Sequence, residues 1–246
     1  IGNEFMVATG GTITTCGNCK IHTFTGPGTF CVSSVHPCAA NNVVSYMVVA
    51  GGGSGGGGYQ SGGGGAGGFR EDKSPVTPYT ASPLDGAGPI TATASPYPIS
   101  VGGGGAAQTS GCTQGNSGSN SIFSTITSAG GGGAGAFNPS APVAAGISGG
   151  SGGGAGRICV AAPGGAGNTP PVSPSQGFRG GDSGTPYTFP YSGGGGGGAT
   201  AAGACVQSSI VGTGGAGATT SISGSSTGGS GGGGGGGYYN PPSCST

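Results

Sequence analysis

The stretch Ala50-Gly-Gly-Gly-Ser-Gly-Gly-Gly-Gly-Tyr-Gln-Ser-Gly-Gly-Gly-Gly-Ala-Gly-Gly-Phe69 decides the fold. It sets two glycine blocks, 51–58 and 62–68, on either side of Tyr59-Gln60-Ser61. A block of this kind has no side chain to bury, so a hydrophobic core cannot organise it. Ordering each glycine also costs about 0.5–1 kcal/mol more than ordering alanine. Further blocks lie at 102–105, 130–135, 149–156, 193–198 and 228–237, and glycine makes up 68 of the 246 residues. Either the blocks stay disordered or backbone-to-backbone contacts offset that cost.

Collagen is excluded, because its glycine recurs at every third position and this chain has an unbroken run at Gly231–Gly237. Disorder is the ordinary reading of so much glycine and proline. Against it stand eight cysteines, eight tyrosines, eight phenylalanines and strand-like segments between the blocks. Polyproline II geometry offers the ordered alternative. Its backbone N–H and C=O groups point outward, with three residues per turn and a rise of about 3.1 Å per residue. Side-chain-free rods of this kind can pack in a near-hexagonal lattice. A net gain of roughly 0.5–1.5 kcal/mol per hydrogen bond matches the glycine cost residue for residue. A seven-residue block would span about 22 Å.

Working back from Ala50, the first fifty residues read as β structure. Phe5–Thr9, Thr12–Thr15, Lys20–Phe24, Thr29–Val32 and Val43–Val49 are β-branched and aromatic runs, separated by Gly10-Gly11, Gly17-Asn18 and Gly26-Pro27-Gly28. They predict a small antiparallel sandwich over 1–50, with Phe5, Phe24, Phe30 and Tyr46 in its core or on strand surfaces. Working forward, glycine blocks alternate with inserts over 51–246 at uneven spacing. Tyr97–Val101 and Ser121–Thr127 are strand-like pieces within them. Helix signals are absent. The fold class is all-β: the sandwich, then a packed polyglycine II bundle with loop inserts and essentially no α-helix.

Charge is sparse, with five basic and five acidic residues. A nucleic-acid surface needs clustered basic residues, so nucleic acid is not an expected partner. The longest apolar stretch, Val43–Ala50, is far short of the ~20 residues a membrane helix needs. No secretory signal opens the chain, and Ile1 suggests numbering that begins inside or after a processed chain.

Several non-glycine phrases resemble the glycine-rich domain of tailed-bacteriophage tail-fibre and adhesin proteins. They are Glu4–Thr12, Lys20–Phe24, Val44–Gly53, Gly65–Glu71, Tyr97–Gly102, Gly118–Gly130 and Asn168–Pro174, which occur in the family's order. The resemblance implies a virion fibre or receptor-binding part, with loops between packed rods touching the host surface. Its partners would be a host receptor, glycan or outer-membrane protein, and other fibre subunits, with a homo-oligomer or filament open. Family members usually close with a Gly-Ser-Gly segment and a strand ending in Arg-Tyr, whereas this chain closes Tyr238-Tyr-Asn-Pro-Pro-Ser-Cys-Ser-Thr246. Eight cysteines also exceed what the family leads one to expect.

Cys16-Gly-Asn-Cys19, Cys31 and His36-Pro-Cys38 have spacings that suit zinc. Gly17-Asn18 is equally a two-residue hairpin turn whose flanks a disulfide can join. Disulfides are the favoured reading, with Cys16–Cys19 and Cys31–Cys38 as pairs and Cys112, Cys159, Cys205 and Cys244 pairing among themselves. That points to an oxidising, extracellular or virion-surface setting with no metal or cofactor. Gly181-Asp-Ser-Gly184 imitates a protease nucleophile motif, with His36 and Asp85 preceding Ser183 in order. Such a tetrapeptide arises easily in a Gly/Ser-rich chain, and a triad is recognised by geometry. No catalysis is expected. Tyr187, Phe189 and Tyr191 in one insert, with Tyr238 and Tyr239 in the last, are the candidate receptor contacts, since tyrosine on loops suits recognition. Capping of the rod ends is the competing reading. The two functions carried forward are a host-contacting fibre part and a purely architectural filament subunit. Ice binding stands third, by analogy with other polyglycine bundles.

Overall fold

Backbones without side chains can approach one another on every side, and the glycine blocks do so. In rod 62–68 the N–H groups of Gly62, Gly65 and Gly68 donate to the carbonyls of Gly135, Gly132 and Ala129 at 2.8–2.9 Å. Those of Gly63 and Ala66 donate to Gly194 and Gly197 at 3.0 Å. Both ladders advance three residues per bond, antiparallel to the first neighbour and parallel to the second. No glycine of these rods has a positive φ. A threefold repeat at negative φ is the left-handed polyproline II form.

The computed structural model describes residues 5–109, 111–137, 141–157, 161–184, 191–207, 211–235 and 237–238. Within them run thirteen rods: 50–57, 62–68, 102–107, 114–119, 129–136, 143–148, 149–156, 162–168, 177–183, 193–198, 201–206, 212–217 and 230–235. Rod 193–198 is enclosed by rods 62–68, 149–156, 177–183, 201–206, 212–217 and 230–235, the six positions of hexagonal packing. Rod 149–156 is enclosed as completely. A Cβ added at Gly152, Gly154, Gly194, Gly195 or Gly196 would fall inside 3.0 Å of a neighbouring rod's carbonyl, closer than real Cβ atoms come. Alanine enters where adjoining rods leave matching room. Ala144, Ala155 and Ala162, from three rods, meet in one cluster at 0–2% exposure.

Consecutive rods are antiparallel, so their connections alternate between two ends. One end, the base, holds most of the β structure. Strands β1 (Val7–Thr9), β4 (Gly28–Ser34), β9 (Pro96–Ser100), β10 (Ser121–Phe123) and β11 (Ile126–Ser128) form an antiparallel sheet in the order β1-β4-β9-β10-β11. Strands β2 (Thr12–Cys16) and β3 (Cys19–Thr23) make a hairpin. The pairs β5 (Val43–Val44) with β8 (Ile90–Thr91) and β6 (Tyr46–Val49) with β7 (Phe69–Asp72) complete the layer beneath. Phe123 joins the layers, with its ring edge-on to Phe30 at 6.1 Å and to Tyr46 at 5.8 Å. Lower on the base lies the hairpin of β13 (Ala218–Thr220) and β14 (Thr227–Gly229), and β12 (Tyr191–Ser192) pairs with β15 (Gly237–Tyr238) at the other end. Among the described residues the helical content is one α turn, Ala141–Ala144, whose last two residues lead into rod 143–148, and one 3-10 turn, Ala39–Asn42. The chain is all-β.

The strands do not stop at residue 50. β9, β10 and β11 from later inserts complete the N-terminal sheet, and β7 pairs with β6 (Val49 opposite Phe69) directly across rods 50–57 and 62–68. The predicted strand Val43–Val49 breaks at Ser45, whose hydroxyl is 2.6 Å from that of Thr77 and accepts the Ser74 N–H at 2.8 Å. Phe30 and Tyr46 are buried, whereas Phe5 is 66% exposed.

Candidate functional site

The second end, the tip, gathers the connection 58–61 and the described residues that border the other connections there: 108–109 and 111–113, 137 and 141–142, 157 and 161, 184 and 191–192, 207 and 211, and 235. Each follows a rod running away from the base. Arg157 ties two of them together: its backbone N–H donates to the Gln60 carbonyl at 3.0 Å, and its Nη1 donates to Gln60 Oε1 at 3.0 Å. Gln60 itself sits at φ 61, in the tight turn between the first two rods. Beside it an open groove of about 460 Å³ is lined by Tyr59, Gln60, Cys112, Phe137 and two glycines. Tyr59 is 78% exposed and Phe137 40%, which gives the tip two aromatic faces in addition to those expected.

Of the expected contact residues, Tyr191 and Tyr238 stand directly opposite one another in the β12–β15 ladder. Two inserts far apart in sequence therefore meet at the tip. Tyr187, Phe189 and Tyr239 lie outside the described residues, as do Cys159 and Cys244. The described residues flanking the first two, Gly184 and Tyr191, are at the tip. Sequence reasoning missed Tyr59 and Phe137 because each sits alone beside a glycine block. The signal available was position, since both close a rod on the same side as the aromatic inserts.

The cysteines divide by end. Cys16 and Cys19 face each other across the Gly17-Asn18 turn of the β2–β3 hairpin, and Cys31 and Cys38 are exposed nearby. All four thiols are free, as is that of Cys205, so the expected Cys16–Cys19 and Cys31–Cys38 bridges are not formed. Cys112 is exposed at the tip. Cys205 donates its thiol to Asp182 Oδ2 at 3.6 Å and accepts the Asp182 N–H at 3.3 Å. Asp182 also pairs with Arg179 and accepts the Gly164 N–H at 2.9 Å. Burial pushes the Asp182 carboxyl up, but the Gly164 N–H, the Arg179 guanidinium and the Cys205 thiol outweigh it, leaving a net downward shift. Among the described residues no group of three or more His, Cys, Asp or Glu side chains is placed to hold a metal ion. Ser183 accepts the Ala162 N–H at 2.9 Å near the tip, whereas His36 and Asp85 are at the base, so the structure does not bring these three together.

The base holds a feature that composition did not foretell. Five of the ten charged residues lie at Arg70, Glu71, Asp72, Lys73 and Asp85, and the first three are buried on β7. Glu71 is fully buried. Its carboxylate accepts the Ser82 N–H at 2.9 Å and the Thr220 hydroxyl at 2.5 Å. Arg70 donates to the carbonyls of Pro174 and Ala87, both at 3.1 Å, and burial holds its guanidinium below the usual arginine range. Asp72 accepts the Gly88 N–H at 3.0 Å, and the Tyr46 hydroxyl donates to the Gly88 carbonyl at 2.6 Å. Burial, then the nearby Asp72 carboxylate, raises the Tyr46 phenol; burial, then Glu71, raises that of Tyr79. The partners lie on segments returning to the base, so the cluster clamps loops 74–88 and 169–176 and strand β13 onto β7.

No protein of known annotation and no solved structure matches the chain. The model of the glycine-rich domain family matches residues 25–244, from β4 onward, and includes every rod. The chain belongs to the glycine-rich domain family.

Proposed function

We propose that the chain is a structural, non-enzymatic part of a virion fibre, a tailed-phage tail-fibre or adhesin piece that contacts the host surface through its tip loops. The observation that carries this reading is the collection of loop ends at one end of a hydrogen-bonded bundle, with the exposed rings of Tyr59 and Phe137 among them. The bundle holds the loops apart from the β structure at the base, as a projecting receptor-binding part requires. Rigid aromatic side chains on anchored loops contribute contact area at low entropic cost, suited to a surface glycan or an outer-membrane protein. The setting this implies is extracellular, on the virion surface.

The test exchanges tip segments 58–61, 184–191 and 236–246 for those of another family member while leaving the rods intact. A changed host range is expected, and an unchanged host range would sink the receptor role. The alternative is a filament subunit without receptor role, which draws on apolar side chains exposed at the base, Phe5, Ile13 and Val76. Fibres formed by the purified protein, without binding to cells, would favour it.

A further inference from the structure

The hexagonal packing is incomplete at one place. Rod 62–68 is bordered in turn by rods 50–57, 129–136, 149–156, 193–198 and 230–235, five of the six possible positions. The sixth, between rods 50–57 and 230–235, is a groove that holds no rod among the described residues. The hydrogen bonds agree. Every N–H from Gly149 to Gly156 and from Gly194 to Ala199 has an acceptor. In rod 62–68, Gly64 and Gly67 donate to nothing among the described residues, although both are buried. They are three apart and so fall on one side of a threefold rod. Gly52 and Gly55 on one flank, and Gly231 and Gly234 on the other, likewise donate to nothing among the described residues, with the same spacing.

The glycines beside this groove are a second, independent observation. At most other rod glycines, Gly103 and Gly104 being exceptions, an added Cβ would strike a neighbouring carbonyl. At Gly52 and Gly55 the nearest atoms to an added Cβ are Gly65 O at 3.5 Å and Gly62 O at 3.7 Å. At Gly233, on the other flank, they are the N and O of Gly64, both at 3.4 Å. These are ordinary contacts, so the isolated chain has no steric need for glycine there. Glycine nonetheless persists at all three, despite its cost in chain entropy. A partner that approaches to backbone distance accounts for both the missing side chains and the unpaired donors.

We infer that this groove is a self-association surface, in which rod 230–235 of a second copy occupies the open position above Gly64 and Gly67. Residues 231–235 of that rod are all glycine, exposed at 231, 233 and 234. It is also one wall of the groove, so a twofold axis lets each copy insert its rod into the other, as an isologous interface requires. The inference is independent of the receptor role.

Sedimentation velocity of the full chain across a concentration series tests it. A reversible dimer is expected, and Gly55→Val should weaken it tenfold or more, by filling a position only a backbone fits. Gly233→Val, on the inserted rod, should do the same and covers the case in which the first variant fails to fold. Amide exchange at Gly64 and Gly67 should slow on dimerisation. A chain that stays monomeric at every soluble concentration overturns the inference, as does a dimer that both variants leave unchanged. A monomer that protects Gly64 and Gly67 only when a synthetic oligoglycine peptide is added overturns self-association in favour of a foreign glycine-rich strand.

Discussion

Replacing Gly154 by alanine places a methyl group against the Gly194 carbonyl, where rods 62–68, 149–156 and 193–198 converge. That carbonyl accepts the Gly63 N–H at 3.0 Å, and the Gly194 N–H donates to Ala155 at 2.8 Å. Neither rod can move aside, because each is enclosed on all sides. Overpacking of this kind costs about 1–3 kcal/mol. Two stretched hydrogen bonds add roughly 0.5–1.5 kcal/mol apiece. Alanine returns about 0.4–1 kcal/mol by restricting the unfolded chain. The net is a destabilisation of about 3 kcal/mol. Gly103→Ala is the control, since an added Cβ there meets nothing within 4 Å. It should be neutral or stabilise by up to about 1 kcal/mol. Urea unfolding followed by circular dichroism compares the two, the chain having no tryptophan to report. Equal midpoints for Gly154→Ala and Gly103→Ala would refute the claim that backbone contact, rather than glycine content, orders the rods.

Glu71→Ala should destabilise the chain by about 2–4 kcal/mol, because the buried Ser82 N–H and Thr220 hydroxyl lose their acceptor; the same urea titration measures it. The phenols of Tyr46 and Tyr79 are raised by burial first and by Asp72 and Glu71 next. Unfolded tyrosine ionises near pH 10, so their contribution is complete below that value and is lost as pH rises above it. Tyr46→Phe should flatten the alkaline limb of the stability profile. The Asp182 carboxyl is shifted the other way, so its contribution is present above about pH 4 and is lost as pH falls through its lowered folded value. Asp182→Asn should flatten the acid limb, and an unchanged acid midpoint would count against the Gly164 and Arg179 contacts.

The rods were legible because their determinant is local: a run without side chains either packs by backbone or does not order. Strands β9 and β10–β11 were legible for a similar reason, through alternating β-branched and aromatic residues at Tyr97–Val101 and Ser121–Thr127. Their partners were not. Pairing of β9 with β4 depends on the direction in which rod 102–107 leaves the base, and no residue within β9 encodes that. The sorting of inserts between base and tip follows from the parity of the intervening rods, which uneven block spacing conceals. At the tip, Tyr191 and Tyr238 could be named but not paired, because rods 193–198 to 230–235 must be stacked before their ends meet. The burial of Arg70, Glu71 and Asp72 ran against the ordinary rule that charged residues face water. The available signal was the concentration of half the chain's charge between residues 70 and 85.

A core without side chains changes where sequence variation can go. In a hydrophobic core, volume and shape couple each position to its neighbours. In this bundle the lattice asks only that a Cβ be absent, as the carbonyls facing Gly152, Gly194 and Gly196 show. A loop at the tip then has a single boundary condition, the spacing between two adjacent rod ends, and its sequence is otherwise unconstrained by the rods. The base is the opposite case. Glu71 accepts from Thr220 and Ser82, and Arg70 donates to Pro174 and Ala87, so loops remote in sequence are fixed by specific donors and acceptors. Change is tolerated at one end because it is resisted at the other. That polarity is what a molecule needs if it must present different surfaces from the same mounting.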